Sequence, residues 1–552
     1  MFTRNMRQSW IVALLALGLA VFVVSCDEES NDDPVGPVVD EYAPVLIGPE
    51  DGSSTTLSST AEFVLSWEAV DSATGGYYVE VAGDAGFAAS SILIETTVEA
   101  TEYDLQLTHV EFGASYYWRV ASILSDDSYS DYSEVRSFSL NAPSVANVTI
   151  LSGEITSNTT LTASNAYLLR GGVFVGHDDP DATEVTLTIE PGTVIYGEKA
   201  TDGMLVIRRS GVIMAEGTSS APIVFTSDQP TGSRSRGDWG GVIINGEATL
   251  NTGSEAIGEG DTGPYGGTDD TDDSGTLRYV RIEFAGREIS PDNELNGLAL
   301  QGVGSGTTIE YVQIHMNKDD GIEFFGGTAQ AKYLLCTGIG DDNFDWTDGW
   351  RGKGQFWVGQ QYGSDADQGI EADNNADENT ATPYANPAIA NITLIGDKQG
   401  DESDIGMLLR EGTKAKIYNA IIMNFGDCGL DVDHDQTFTN AANGELIVDY
   451  CIFDTSSATG NEALGQQDDT PDFDDDAFIQ TTMTNNSLVN EAVVTDGLNK
   501  TSPDFTATGL ATTKTPFDPT TLDANFFETV DFIGGVDPDA DWTVGWTTSD
   551  QN

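Results

Sequence analysis

The sequence predicts an all-β protein, an N-terminal β-sandwich followed by a right-handed parallel β-helix. Three observations carry that expectation. A short phrase, Asp, any residue, Gly or Asn, apolar, any residue, apolar, recurs between residues 292 and 435. It appears first as Asp319-Asp320-Gly321-Ile322-Glu323-Phe324 and then from Asp341, Asp367, Asp404 and Asp427. The first interval is 22 residues and the last 23, with strand-like alternation inside each copy, which is the period of a solenoid. With 60 glycines and few helix signals in 552 residues, a turn-rich coil of short strands fits better than one large globular core.

From the N-terminus, residues 1–26 have the form of an export signal. Arg4 and Arg7 precede an apolar run from Ile11 to Val24 that is short for a membrane span. The run ends in Val23-Val24-Ser25-Cys26, which resembles the processing box of bacterial lipoproteins. That resemblance implies lipidation of Cys26 as the mature N-terminus, where two acyl chains give the hold that one cannot. Residues 27–42, with Asp27, Glu28, Glu29, Asp32 and Asp33 ahead of Pro34, read as an acidic tether. The acids behind the cysteine resemble the surface-export signals of Bacteroidetes-type lipoproteins. The implied location is the bacterial outer membrane, exposed at the cell surface, with membrane contact through the lipid anchor only.

Residues 43–141 carry the sandwich pattern. Phe63 to Trp67, Tyr77 to Val81, Tyr116 to Ser122 and Val135 to Leu140 read as strands. The run Gly113-Ala114-Ser115-Tyr116-Tyr117-Trp118-Arg119-Val120 resembles strand F of fibronectin type III domains, with Tyr116 at the tyrosine corner. Such modules are spacers or recognition units, so activity is not implied.

The coil is expected over residues 166–500. Gly203-Met204-Leu205-Val206, Gly241-Val242-Ile243-Ile244 and Gly297-Leu298-Ala299-Leu300 are further copies of the phrase, with glycine at the corners where most side chains resist the backbone conformation. Glu190-Pro191-Gly192-Thr193 and Gly237-Asp238-Trp239-Gly240-Gly241 resemble β-helical surface proteins within the pectate-lyase-like superfamily. Insertions at 246–275, 374–386 and 456–476 are expected to leave the coil at turns. Residues 501–552 are expected to cap the last rung, whose open edge would otherwise invite aggregation.

The charge excludes one class of partner. Ninety acidic residues against 23 basic ones give a net charge of −67, so the clustered cations that nucleic acid requires are missing. Most of these acids read as a solvated surface suited to a saline, cation-rich medium. Beyond Cys26, Cys336, Cys428 and Cys451 are expected as buried free thiols, because register sets Cys451 beside Ile421 and Cys428 at a corner.

Candidate chemistry follows from alternation. In each apolar-x-apolar tripeptide the middle residue faces outward, which gives Leu205, Ile243, Ala299, Glu323, Asp345, Glu371, Leu408 and Asp431 down the rungs. Stacked rungs bring equivalent residues to about 4.8 Å, where ionised carboxylates repel strongly. They must be solvated, protonated, tied to backbone N–H groups or bridged by cations. Calcium, which takes six to eight oxygens, is the expected ion for Asp319, Glu323, Asp341, Asp345, Asp348 and Glu371. An Asx-type turn without metal accounts for Asp404 and Asp427.

Polysaccharide lyases of the superfamily use calcium with a basic residue that abstracts a proton, and the resemblance points to Arg351, with Lys353 beside it. Pairing of Arg351 with Asp345 or Asp348 is the competing expectation. The Asn-Thr-Asp and Gly-His-Gly triplets of the related hydrolases are missing, Asp433-His434-Asp435 lacks the flanks of a pectate-lyase element, and the four histidines form no zinc motif. Trp346 is expected inward, in the core. The leading functional expectation is a surface lipoprotein, stabilised by cations, that binds a carbohydrate or another extracellular surface. The alternative is a calcium-dependent polysaccharide lyase or glycoside hydrolase.

Overall fold

The structure, a computed structural model, describes residues 42–56, 63–88, 91–105, 115–126, 128–141, 148–290, 293–363, 365–399, 403–454 and 473–552. The export signal with Cys26 and the tether up to residue 41 lie outside the described residues, as does most of the insertion at 456–476. The described chain divides into two compact units.

The smaller unit includes residues 65–103 and 117–136. Tyr77–Ala82 pairs antiparallel with both Ile92–Val98 and Ser115–Ser122, while Leu46–Gly48 pairs antiparallel with Val64–Trp67 in a separate sheet. Alternation along Ser115–Ser122 turns Trp118 and Val120 inward. Trp67 packs between Tyr77, with ring centroids 5.4 Å apart, and Trp118, at 6.5 Å. The last expected strand lies at Arg136–Asn141.

The larger unit is a parallel coil whose strands form one sheet of 24. It starts at Val148–Ile155, which pairs in parallel with Ala166–Val175, a rung before the expected start at Ala166. An end rung has a neighbour on one side only. Val148–Ile155 is accordingly exposed along most of its length and has no apolar alternation to betray it.

Three strand series make the walls. In one, Leu298–Gln301, Ile322–Phe325, Phe344–Thr347, Ile370–Ala372 and Met407–Leu409 stack in register. The other two are the halves of longer strands such as Thr308–His315 and Gln330–Thr337. These long strands bend at Tyr279, Tyr311, Tyr333, Phe356, Asn391 and Asn419, all with φ between +49° and +65°. Glycine is therefore not the residue of this corner. A left-handed conformation costs a non-glycine residue about 1–2 kcal/mol, and stacking offsets it. Tyr279, Tyr311 and Tyr333 lie 4.4 and 4.3 Å apart between ring centroids, and Phe356 extends the ladder at 4.9 Å.

Gly241 does take a positive φ, +132°, whereas Gly321 and Gly369 serve close approach instead. A Cβ on Gly321 would stand 2.5 Å from the Asn343 carbonyl oxygen and 2.8 Å from Cys336 Sγ. One on Gly369 would stand 2.5 Å from the Gly406 carbonyl oxygen. The core beside them is aromatic. Phe324 stacks on Trp350 at 4.1 Å and lies parallel to Trp357 at 5.8 Å, and Trp346 is fully buried as alternation predicts. Cys336, Cys428 and Cys451 are buried and none is in a disulfide among the described residues, although it is Ile452 rather than Cys451 that pairs with Ile421.

Register confirms the outward series with one correction. Ile243, Ala299, Glu323, Asp345, Glu371, Leu408 and Asp431 align rung on rung, but the first member is Val206. Leu205 pairs with Val242 and lies in the core, because the apolar pair after Gly203 begins one residue later than in the other copies.

The C-terminal segment is also placed differently from the expectation that 501–552 cap the last rung. Helix Asp435–Ala442 and the segment Phe478–Thr482 close that end, with Phe478 and Ile479 in the coil's core and Asp475 Oδ1 accepting from the Val432 N–H at 3.0 Å. Residues 517–550 instead run back along a flank. Asn419 donates to the Phe517 carbonyl, Asn391 to that of Phe532 and Gln313 to that of Thr548, at 2.9, 3.2 and 2.7 Å. The physical reason lies in the flank's outward side chains Leu335, Val358, Ile395 and Ile421. They are apolar, and Phe532, Ile533 and Val536 cover them.

Candidate functional site

The outward series turns acidic over three successive rungs. Glu323 pairs with Asp345 and Asp345 with Glu371, so parallel register holds one carboxyl directly beside the next. The corner ahead of these strands adds Asp319, Asp341 and Asp367, and the second residue of the phrase adds Asp320 and Asp342. Three groups result, with one carboxylate oxygen per residue lying within 4.8 Å of the others: Asp319, Asp320 and Asp341; Asp320, Glu323 and Asp345; Asp341, Asp342 and Asp367.

Three of these carboxyls are withdrawn from water and the others are half-buried. Asp320 and Glu323 are each 7% exposed and Asp342 is 4% exposed. Burial, reinforced by neighbouring carboxylates, raises Asp320, Glu323, Asp342 and Asp345 well above the ordinary carboxylate range. Burial and Asp341 push Asp319 up to about 8, burial raises Glu371 to about 7 against the pull of Arg410, and burial with Asp341 raises Asp367 to about 6. Hydrogen bonds hold the ladder in place. Asn296 Nδ2 donates to Glu323 Oε2 at 2.6 Å, the Asp342 N–H to Asp320 Oδ1 at 3.0 Å and the Gln368 N–H to Asp342 Oδ1 at 2.6 Å. Asp345 Oδ1, Asn296 Oδ1 and Gln368 Oε1, buried oxygens of this network, accept no hydrogen bond.

The corner acids open on a cleft of about 470 Å³. Its walls carry the carboxylates of Glu288, Glu294, Asp319, Asp341, Asp367 and Asp404, against the single ammonium of Lys318. That ammonium is engaged by Asp365 at 3.2 Å.

Five of the six acids expected to hold metal, Asp319, Glu323, Asp341, Asp345 and Glu371, meet on this face. Neither Glu371 nor Asp348 belongs to the three close groups: Glu371 pairs with Asp345 in register, and Asp348 accepts from the Tyr265 hydroxyl at 3.1 Å. Arg351 is turned to a different partner from either expectation. Its Nη2 meets Asp270 of the first insertion at 2.9 Å and its Nη1 the Gly349 carbonyl at 3.0 Å, so it pairs with neither Asp345 nor Asp348. Lys353 is bound to Asp523 of the C-terminal segment at 2.6 Å.

The basic group at the ladder is Arg410, which the sequence reading missed. Its guanidinium contacts Glu371 and meets Asp373 Oδ1 at 3.0 Å. The signal was available one step past the phrase: Ala372 pairs with Leu409, which brings Asp373 and Arg410 to adjacent rungs. Asp320 and Asp342 were missed because they occupy the position treated as variable.

Residues 153–506 match the family model described as "Pectate-lyase like beta helix domain". The chain belongs to this family. No curated protein matches this pectate-lyase-like chain. Among solved structures it is similar to the catalytic unit of a thermostable family 87 α-1,3-glucanase from Streptomyces thermodiastaticus, at 10% identity over 79% of this chain and 89% of that one, with a TM-score of 0.25. It is also similar to a family 28 exopolygalacturonase from Yersinia enterocolitica, at 12% identity over 71% and 87% with a TM-score of 0.18. A third is the pectate lyase PelI from Erwinia chrysanthemi in complex with tetragalacturonic acid, at 11% identity over 71% and 84% with a TM-score of 0.12.

Proposed function

We propose that this pectate-lyase-like β-helix protein is a surface-anchored lipoprotein that binds extracellular carbohydrate through an acidic face held together by calcium. The observation that carries this reading is the continuity of an open cleft walled by six carboxylates with a ladder of buried ones behind it. The residues fit the ion. Every donor is a hard oxygen, and oxygens within 4.8 Å of one another suit an ion whose ligands lie at about 2.3–2.6 Å. Asp345 Oδ1 and Asn296 Oδ1 are buried acceptors without a donor. Asp320, Glu323 and Asp345 would hold the ion, which would supply charge neutralisation; Asn296 positions Glu323 and Arg410 positions Glu371.

Binding is favoured over proton abstraction by the state of the bases. Arg351, Lys353, Lys318 and Arg410 are each engaged by a carboxylate. One observation favours a hydrolase as the second reading. Asp319 and Asp367 share the cleft with carboxyls that titrate near about 8 and about 6, a separation that hydrolysis by two carboxyl groups can use. Incubation with uronate and neutral glycans, with and without chelator, tests both. The expected result is retention of intact glycan that chelation abolishes. Shortened or unsaturated products would overturn the binding reading in favour of the enzyme.

The two-sheet unit with its Trp67–Trp118 core is read as a fibronectin type III-like spacer between coil and membrane anchor. Among the described residues no helix is long and apolar enough to cross a membrane. Anchoring falls to Cys26, and cells fed labelled fatty acid should label this protein but not its Cys26→Ser variant. Equal labelling of both would remove the anchor.

A further inference from the structure

The smaller unit holds the exposed tyrosines of the chain. Among the described residues these are Tyr42, Tyr129 and Tyr132, and all three belong to it. We propose that Tyr129 and Tyr132, beside Tyr78 on one outer sheet face, form a second carbohydrate contact that takes neutral oligosaccharide. It rests on the reading that the coil binds carbohydrate, and it adds to that binding.

Alternation and register build the face. Tyr77, Val79 and Val81 turn into the core, so Tyr78 and Glu80 lie on the opposite side of Tyr77–Ala82. Glu80 pairs in register with Arg119 on one flank and Glu95 on the other. The run Ser128-Tyr129-Ser130-Asp131-Tyr132-Ser133 then lies along Ser115–Ser122, and two of its serines fix it there. The Ser130 and Ser133 N–H groups donate to the Ser122 and Val120 carbonyls at 3.0 and 2.8 Å, while their hydroxyl oxygens accept from the Ser122 and Val120 N–H groups at 2.9 and 3.0 Å. Both rings are thereby placed before any ligand arrives. Tyr129 meets Tyr78 edge-on at 5.3 Å between centroids, and the Arg119 guanidinium, whose Nε donates to Glu80 at 2.7 Å, lies 3.8 Å from the Tyr132 ring centroid. Even so, Tyr129 stays 58% exposed and Tyr132 37%.

Tyrosines held by serines suit recognition, because a ring with two torsions presents rigid amphipathic area at little entropic cost. Charge selects the ligand. Residues 43–141 contain two arginines and no lysine, and Arg119 and Arg136 are paired with Glu80 and Glu134, both at 2.7 Å. With no unpaired cation here and a net charge of −67, the chain repels a uronate polymer. Neutral sugars meet no such barrier. Their C–H faces pack on tyrosine rings, and their hydroxyls donate to carboxylates such as the exposed Glu95, which already accepts from the Tyr78 hydroxyl at 3.2 Å. Two rings at most about 10 Å apart along the backbone fit a short run of sugar units, whereas a stable protein interface needs about 800 Å² from each partner. Alone the contact is weak, so retention still fails when chelation removes the coil's share. On a polymer that reaches both contacts, the second binding event becomes intramolecular and strengthens the first.

Affinity electrophoresis of the full chain through gels holding laminarin, dextran or galactomannan tests the contact, with polygalacturonate as the anionic control, in calcium and in chelator. In calcium, the double variant Tyr129→Ala, Tyr132→Ala should bind a neutral glycan at least about tenfold more weakly than wild type, with polygalacturonate unaffected. Tyr129→Phe, Tyr132→Phe should keep the wild-type affinity, since the rings remain. Equal affinity of wild type and the alanine variant for the neutral glycans would overturn the tyrosine contact and leave the coil's binding standing. Retardation that survives chelator in wild type and vanishes in the alanine variant would uphold the tyrosines and overturn the coil instead. An equal loss on polygalacturonate would overturn the selectivity for neutral glycan. A wild-type dimer that the alanine variant turns into a monomer, with glycan affinity unchanged, would assign the face to a second copy. No retardation of wild type in any gel would overturn both contacts.

Discussion

Removal of divalent cations is expected to lower the unfolding free energy by about 2.7 kcal/mol, relative to protein held at about one hundred times the ion's dissociation constant. The deficit should grow with pH, and the sign follows from the raised carboxyls. Asp319, Glu371 and Asp367 titrate near about 8, about 7 and about 6 in the folded chain, above the ordinary values of 3.8 for Asp and 4.5 for Glu. Without an ion, their contribution is fully present below the unfolded-state values and is lost as pH rises through the folded ones. Calcium binding has the opposite dependence, because it needs the ionised form. Melting temperatures in chelator should therefore fall between about pH 4 and pH 8, and those in calcium should diverge upward from them. Coincident curves across that range would remove the cation from the account.

The second large effect is expected at the flank. Trp546 is 2% exposed, its ring packs edge-on against Tyr279 at 5.5 Å, and its carbonyl accepts from Arg281 at 3.0 Å. Trp546→Ala removes the cover from stacked tyrosines that sit in a left-handed backbone conformation. The expected loss is about 3–5 kcal/mol, read from denaturant unfolding in the presence of calcium. An unchanged midpoint would show that residues 517–550 lie on the flank without stabilising it.

What the sequence made legible is what repeats. The coil was readable because Ile322, Phe344, Ile370 and Met407 sit at the same place in every copy and pair in the structure. The outward acids followed from alternation alone. What escaped lacks a periodic signature. Phe517, Phe532 and Thr548 dock through backbone carbonyls, and every residue has one. Tyr311 and Tyr333 adopt a corner conformation that the rules of the single chain assign to glycine, since only the stack between rungs makes it affordable. Arg351 was judged by its distance along the chain from the acids, whereas Asp270 reaches it from an insertion that breaks the period.

The ladder itself poses the sharpest question. Either its buried carboxyls share protons or they share an ion, and composition cannot separate the two. Long-wavelength diffraction from crystals grown in calcium at neutral pH decides between them. The account predicts an anomalous peak among Asp320, Glu323 and Asp345 with oxygen distances near about 2.4 Å. Well-ordered carboxyls at that place, paired at hydrogen-bond distance with no peak between them, would contradict it.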